Sequence, residues 1–291
     1  MGDVGGSSTT PTSAPPEPGR GAPPYSAGLI LRRDFSLGRA APALYGALIV
    51  VAITRAPYVL FHGRFYAEEG SLHFAHMVAH PGFKSLLYVQ TRTGYYNFFC
   101  DIATFVASKA PLAHAPVVTA WFSFAVLALI VWVALAWPSD LLPTTAARVT
   151  AAVLLVVGTL AVPEVWMNSI TAHAYLGMLA VLLLFVDIRR LRSREFLLGA
   201  GALVIGGFSG IYTCVLAPLF FARAFHERSA RRITYAAIVC GAAVIELAVV
   251  LNSRASGKLA ETKMVFPGLK DPKQRIDVIA YLKVATGGGP S

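Results

Sequence analysis

The chain has 291 residues, is 56% hydrophobic and only 14% charged, and has a mean hydropathy of +0.61 with a formal charge of +10. Soluble domains carry about a quarter charged residues, so this composition excludes an ordinary water-soluble fold. The positive balance does not signal nucleic acid, because the basic clusters Arg189-Arg190-Leu191-Arg192-Ser193-Arg194 and Arg228-Ser229-Ala230-Arg231-Arg232 lie in short connections between apolar runs. The positive-inside rule puts such loops in the cytoplasm.

Residues 1–39 are rich in Gly, Ser, Thr and Pro and read as a disordered tail. No apolar stretch follows the start closely enough for a signal peptide. Arg32, Arg33 and Arg39 precede the first apolar run, which places this N-terminal tail in the cytoplasm. A transmembrane helical domain is expected over 40–252, with runs at 40–61, 115–137, 147–163, 173–187, 196–208, 211–225 and 233–251. Several approach the ~20 residues that cross a bilayer, so the predicted fold is an all-α, polytopic transmembrane bundle of about seven spans.

The first outer loop covers 62–94, and amphipathic helices are expected within it. Segment 95–110 is apolar but carries Asn97, Asp101 and Lys109. An odd number of crossings must separate the outer acidic loop from the cytoplasmic 189–194 loop, and 115–137, 147–163 and 173–187 already supply three. Segment 95–110 is therefore predicted to be interfacial or re-entrant, and 163–172 becomes a second outer loop. Gly206-Gly207-Phe208-Ser209-Gly210 marks a third outer turn. The same parity puts the charged tail 253–291 outside, where its lysines and arginines sit badly. Either that tail escapes the charge rule or the span count is off by one. Cys100, Cys214 and Cys240 lie in apolar segments without metal-ligand spacing, and no disulfide framework is implied.

Acids and histidines gather in the first outer loop. Glu68 and Glu69 follow the first run, and in a regular helix Glu69, His73, His76 and His80 share one face. The plainer reading is a solvated interfacial helix; the sharper one is a polar site facing the bilayer. In the second outer loop, Glu164, Asn168 and His173 are placed to face Glu68 and Glu69 across an outer cavity. Carboxylates together with His73, His76 and His173 would suit a divalent cation (Mg, Mn or Zn), although His-Glu-x-x-His and paired-cysteine motifs are missing. Glu246 falls inside the last run, where a relay acid and a packing contact are both open readings. No phosphate-binding Gly-x-x-x-x-Gly-Lys loop, dinucleotide fingerprint or Gly-x-Ser-x-Gly elbow occurs.

Several short motifs carry a resemblance. They are Phe65-Tyr66-Ala67-Glu68-Glu69-Gly70, then Gly94-Tyr95, then Glu164-Val165-Trp166-Met167-Asn168. Phe208-Ser209-Gly210-Ile211-Tyr212, followed by Leu216-Ala217-Pro218-Leu219, continues the pattern. Over residues 40–230 the layout resembles the GT-C superfamily of integral-membrane glycosyltransferases, in its bacterial polyprenyl-phosphate-sugar-dependent form. Glu69 departs from the expected Asp, and the chain stops before the later helices and C-terminal domain of many relatives, as a short or truncated member would.

The resemblance implies transfer of a sugar from a polyprenyl-phosphate-linked donor to a glycan, lipid or protein acceptor at the extracytoplasmic face of a bacterial-type plasma membrane. It implies that Glu69, supported by Glu68, acts as general base or helps bind a metal at the donor phosphate. Arg64, Lys84 and Arg92 are the nearby cations for that phosphate, and Tyr95, Glu164 and Asn168 complete the substrate-binding set. The competing expectation is a non-enzymatic polytopic protein, such as a lipid-linked-oligosaccharide flippase or transporter. Such a protein would depend on intramembrane polar groups such as Glu246 and on the broken helix at the Gly206–Gly210 turn. An inactive GT-C-like protein is the third.

Overall fold

In a computed structural model the chain divides into Met1–Phe35 and Ser36–Ser291. The described residues are 2, 37–38, 40–66, 68–89, 95–158 and 166–255. The expected N-terminal tail and its cytoplasmic placement, nearly all of the charged C-terminal tail, Arg92 and Glu164 therefore lie outside them.

Eleven α-helices are described in the second unit. They are α1 (Ala40–Arg55), α2 (Pro57–Phe61), α3 (Ala75–Ala79), α4 (Phe98–Ala107), α5 (Ala115–Ala136), α6 (Thr145–Val157), α7 (Ala172–Phe185), α8 (Ser193–Gly207), α9 (Ile211–Cys214), α10 (Ala217–Glu227) and α11 (Ala230–Ala255). A π-helical segment, Glu69–Phe74, leads into α3, and a 3-10 turn, Phe83–Leu87, follows it. Among the described residues no strands assemble into a sheet; Ser139 and Val186 form an isolated antiparallel bridge. The fold is all-α.

α5 is the central helix, with Leu127, Ile130 and Val131 fully buried. It packs against α1, α2, α4, α6 and α7. Its sequence is apolar on every side, the pattern of a helix with no water-facing stripe. α6 starts where the Thr144 hydroxyl accepts the Ala147 N–H at 3.1 Å. Before α8, Glu195 Oε2 accepts the Arg192 N–H at 2.7 Å.

Arginines close the opposite helix ends. Arg148 donates to the carbonyls of Leu135 and Trp137 at the end of α5. Arg232, with 0% exposure, donates to the carbonyls of Leu183, Leu184 and Val186 at the end of α7 and pairs with Glu227 at 3.0 Å. The last carbonyls of a helix lack intrahelical donors and carry partial negative charge, so buried guanidinium groups satisfy them. The same end is tied by Asp140 N–H to Phe185 O and Asp187 N–H to Pro138 O.

Among the described residues two helices, α5 and Ala230–Ser253 of α11, are long and apolar enough to cross a membrane. The pair Ser193–Gly207 and Ile211–Glu227, bent by 114° at its break, makes a third if counted as one span. This corrects the expected bundle of about seven spans. α1, α6 and α7 have 16, 13 and 14 residues and reach only ~20–24 Å against the ~30 Å of a hydrocarbon core. The apolar runs are longer than the helices because Pro57 starts a new helix, Gly158 ends α6 and Val186 turns extended. Gly210, at φ 107, breaks the run between α8 and α9 in a conformation that side chains rarely adopt. Ten-residue α4 packs against α5, the π-helical segment and the 3-10 turn.

Candidate functional site

The acidic stretch around Glu69 folds into the interior. The π-helical winding of Glu69–Phe74 shifts the side chains off the face that a regular helix would give them. Glu69 and His73 are buried at 1% and 4% exposure, whereas Glu68 and His80 remain exposed. The expected polar stripe is therefore split between interior and surface. Gly70 permits the close approach of Phe65, because a Cβ there would stand 2.8 Å from Phe65 Cβ.

Glu69 reaches the segment that precedes α7. Its Oε1 accepts the Ser169 N–H at 3.1 Å and the Ser169 hydroxyl at 2.5 Å. Its Oε2 accepts the Tyr66 N–H at 3.3 Å. Both carboxylate oxygens are thus engaged by the chain itself, which meets the cost of burying the group. Cys100 Sγ lies 3.3 Å from the same Ser169 hydroxyl, and burial pushes its thiol pKa well up.

A second buried pair lies beside it. His73 Nδ1 and Asp101 Oδ1 are 2.7 Å apart, with Asp101 at 0% exposure. Burial pushes the Asp101 pKa up to about 6, with the His73 hydrogen bond acting in the opposite direction. Asp101 was visible in the sequence as a lone acid in an apolar segment, a pattern that demands a buried partner, but nothing local identifies His73 as that partner. Ser169 and Cys100 carried no signal.

The remaining predicted site residues scatter. Arg64 is exposed, lies over the Tyr66 ring at 5.2 Å and donates from Nε to its hydroxyl at 3.3 Å. Lys84 is exposed on the 3-10 turn. Asn168 is buried, and its Oδ1 accepts the Thr171 N–H at 2.8 Å and hydroxyl at 3.0 Å at the entry to α7. Tyr95 meets the His173 ring edge-on at 6.2 Å. Burial, followed by the negative charge of Glu68, pushes the Tyr95 pKa up to about 12.

The expected divalent-metal site is not formed. Among the described residues no group of three or more His, Cys, Asp or Glu side chains can hold a metal ion. The physical reason is that each proposed ligand has another engagement. His73 is bound to Asp101, His76 stacks on Tyr88 at 3.9 Å and His80 at 4.4 Å, and His173 stacks on Tyr212 at 5.0 Å. Burial and the neighbouring His80 and His73 also lower the pKa of His76.

A third polar group gathers where α8 gives way to α9. Phe98 N–H donates to Phe208 O at 2.8 Å and Phe99 N–H to Ser209 Oγ at 2.9 Å, which ties α4 to the break. Glu246, at 2% exposure on α11, accepts the Tyr96 N–H through Oε2 at 3.2 Å. Its Oε1 and the Thr213 hydroxyl of α9 are buried without a hydrogen-bond partner among the described residues. Gly207 holds α8 close to α11, since a Cβ there would stand 2.6 Å from Ala242 Cβ, one turn before Glu246.

No family model matches the chain, and no solved structure matches it. A stretch of 25 residues, 9% of the chain, is similar to plant cytochromes c and covers 22% of each. It is 72% identical to that of Guizotia abyssinica, 76% to that of Sesamum indicum and 72% to that of Ginkgo biloba. The chain thus spans about a fifth of the length of the curated relatives it matches. Its cysteines, at 100, 214 and 240, form no Cys-x-x-Cys-His run of the kind that attaches c-type haem. The likeness is confined to that stretch and assigns the chain to no family.

Proposed function

We propose that this chain is a non-enzymatic polytopic membrane protein of the translocator kind, with a lipid-linked oligosaccharide as cargo. In this reading the cargo is handled at the broken helix between α8 and α10, and the outer acidic loop is a structural clamp. The observation that carries it is a contrast between two buried carboxylates. Both oxygens of Glu69 are engaged by Ser169 and Tyr66, whereas Glu246 keeps one oxygen without a hydrogen-bond partner among the described residues. Glu246 lies on α11, which packs on α9 just after the 114° break. Discontinuous helices with exposed backbone and an acid nearby are how membrane translocators build polar sites within the bilayer.

A second reading keeps the GT-C-like glycosyltransferase, with Glu69 and Glu68 acting on an acceptor and a polyprenyl-phosphate-linked sugar as donor. It is favoured by one observation, the meeting of segments 65–80 and 166–172 at Glu69 and Ser169.

The deciding experiment reconstitutes the purified chain into vesicles holding a fluorescent polyprenyl-diphosphate oligosaccharide. Dithionite quenching reads translocation, and mass spectrometry of the same lipids reads sugar transfer. The expected result is protein-dependent access of inner-leaflet probe to quencher, strongly slowed by Glu246→Gln, with no new glycosylated product. Lack of protein-dependent translocation, or a sugar-transfer product that disappears with Glu69→Gln, overturns the proposal.

A further inference from the structure

The outward side of α10 and α11 carries a groove that the translocator reading does not use. One cavity of about 380 Å³ is lined by Phe221, Phe225, Arg228, Ile233, Ala237 and Cys240 among others. A second, of about 350 Å³, is lined by Ala217, Phe221, Cys240, Ala243, Val244 and Leu247 among others. Phe221 and Cys240 belong to both, so the two form one continuous apolar channel along the helix pair. From Ile233 to Leu247 its α11 wall is ~21 Å long, enough to cover the ~15 Å hydrocarbon depth of one leaflet.

Among the described residues that line the groove, Arg228 is the charged one. The arginines around it are occupied. Arg223 bonds Asp140 and Glu227, Arg231 donates to the carbonyls of Ile188 and Leu191, and Arg232 caps α7. Arg228 is exposed, and its guanidinium lies over the Phe225 ring at 5.5 Å. Its backbone sits at φ 49, a left-handed conformation that is uncommon for a long side chain. The cation thus stands at the mouth of an apolar channel, on the basic end that the charge rule assigns to the anionic leaflet.

We infer that this groove binds an anionic phospholipid of the bilayer, with one acyl chain along α10 and α11 and the phosphate on Arg228. The apolar walls supply affinity through buried acyl methylenes, and the single cation supplies selectivity for a negative headgroup.

The test uses the full chain in neutral-detergent micelles with phosphatidylglycerol carrying a mid-chain diazirine, compared with the matching phosphatidylcholine probe. Photolysis and peptide mapping are expected to place phosphatidylglycerol adducts on residues 217–247. Arg228→Gly removes the charge while suiting the left-handed backbone, so its melting temperature should not fall. It should lower phosphatidylglycerol capture about fivefold, the effect of one basic residue near a lipid surface. Ala237→Trp, which fills the groove from an exposed lining position, should abolish capture of both probes at this site. Equal capture of the two probes by the parent chain, or capture undiminished by Ala237→Trp, reduces the groove to ordinary lipid contact and overturns the inference. So does a dimer in solution whose α10 and α11 cross-link to those of a second copy, since that copy would then be the occupant.

Discussion

If Glu69 is a clamp, its removal must cost stability whether or not any substrate is present. Glu69→Ala takes the acceptor from the Ser169 N–H and hydroxyl, which bond it at 3.1 and 2.5 Å in a site 1% exposed. Each buried donor left unsatisfied costs ~1–3 kcal/mol, so the total loss should be about 3–5 kcal/mol once the emptied volume is included. Ser169→Ala removes the hydroxyl and leaves the backbone bond. The coupling between the two substitutions therefore isolates the hydroxyl–carboxylate contact and should be ~1.5–3 kcal/mol, the range for a hydrogen bond to a charged group. The assay is chemical denaturation in micelles followed by tryptophan fluorescence, and buried Trp166 lies three residues from Ser169. Additive effects, with coupling under ~0.5 kcal/mol, would refute the clamp and leave the carboxylate free for other work.

Two further outcomes follow from buried charge. Asp101 has its pKa raised from 3.8 to about 6 in the folded chain, so the native state holds a proton that the unfolded state has already released. Its contribution to stability is complete below pH 3.8 and lost as pH rises to about 6. The loss is about 3 kcal/mol, and melting curves of Asp101→Asn, which keeps an acceptor for His73, should lack that slope. Arg232→Met strips Glu227 of one cation and leaves the Leu183, Leu184 and Val186 carbonyls without it, which should cost ~3–5 kcal/mol in the same denaturation assay. Arg232→Lys should recover little, because an ammonium cannot match the planar fork that serves them all.

Features that depend on neighbours along the chain were legible before any fold was known. The long apolar runs required helices, and the Gly206–Gly210 turn marked the break between α8 and α9. The basic loops at 189–194 and 228–232 were legible as charge, but not as caps, because the carbonyls that Arg232 satisfies are 46 to 49 residues away. The number of membrane-length helices was overread for a related reason. Hydropathy counts apolar residues without registering that Pro57, Gly158 and Val186 interrupt the helical hydrogen bonds. The Glu69 site shows the same divide. A regular helical period gave Glu69, His73, His76 and His80 one face, and the π-helical winding sent the first two inward. Their partners, Ser169 at a separation of 100 residues and Asp101 at 28, exist only once the loops and α4 pack together. Local pattern records which side chains can share a face; only tertiary packing decides which buried carboxylate is satisfied and which, like Glu246, keeps an open oxygen.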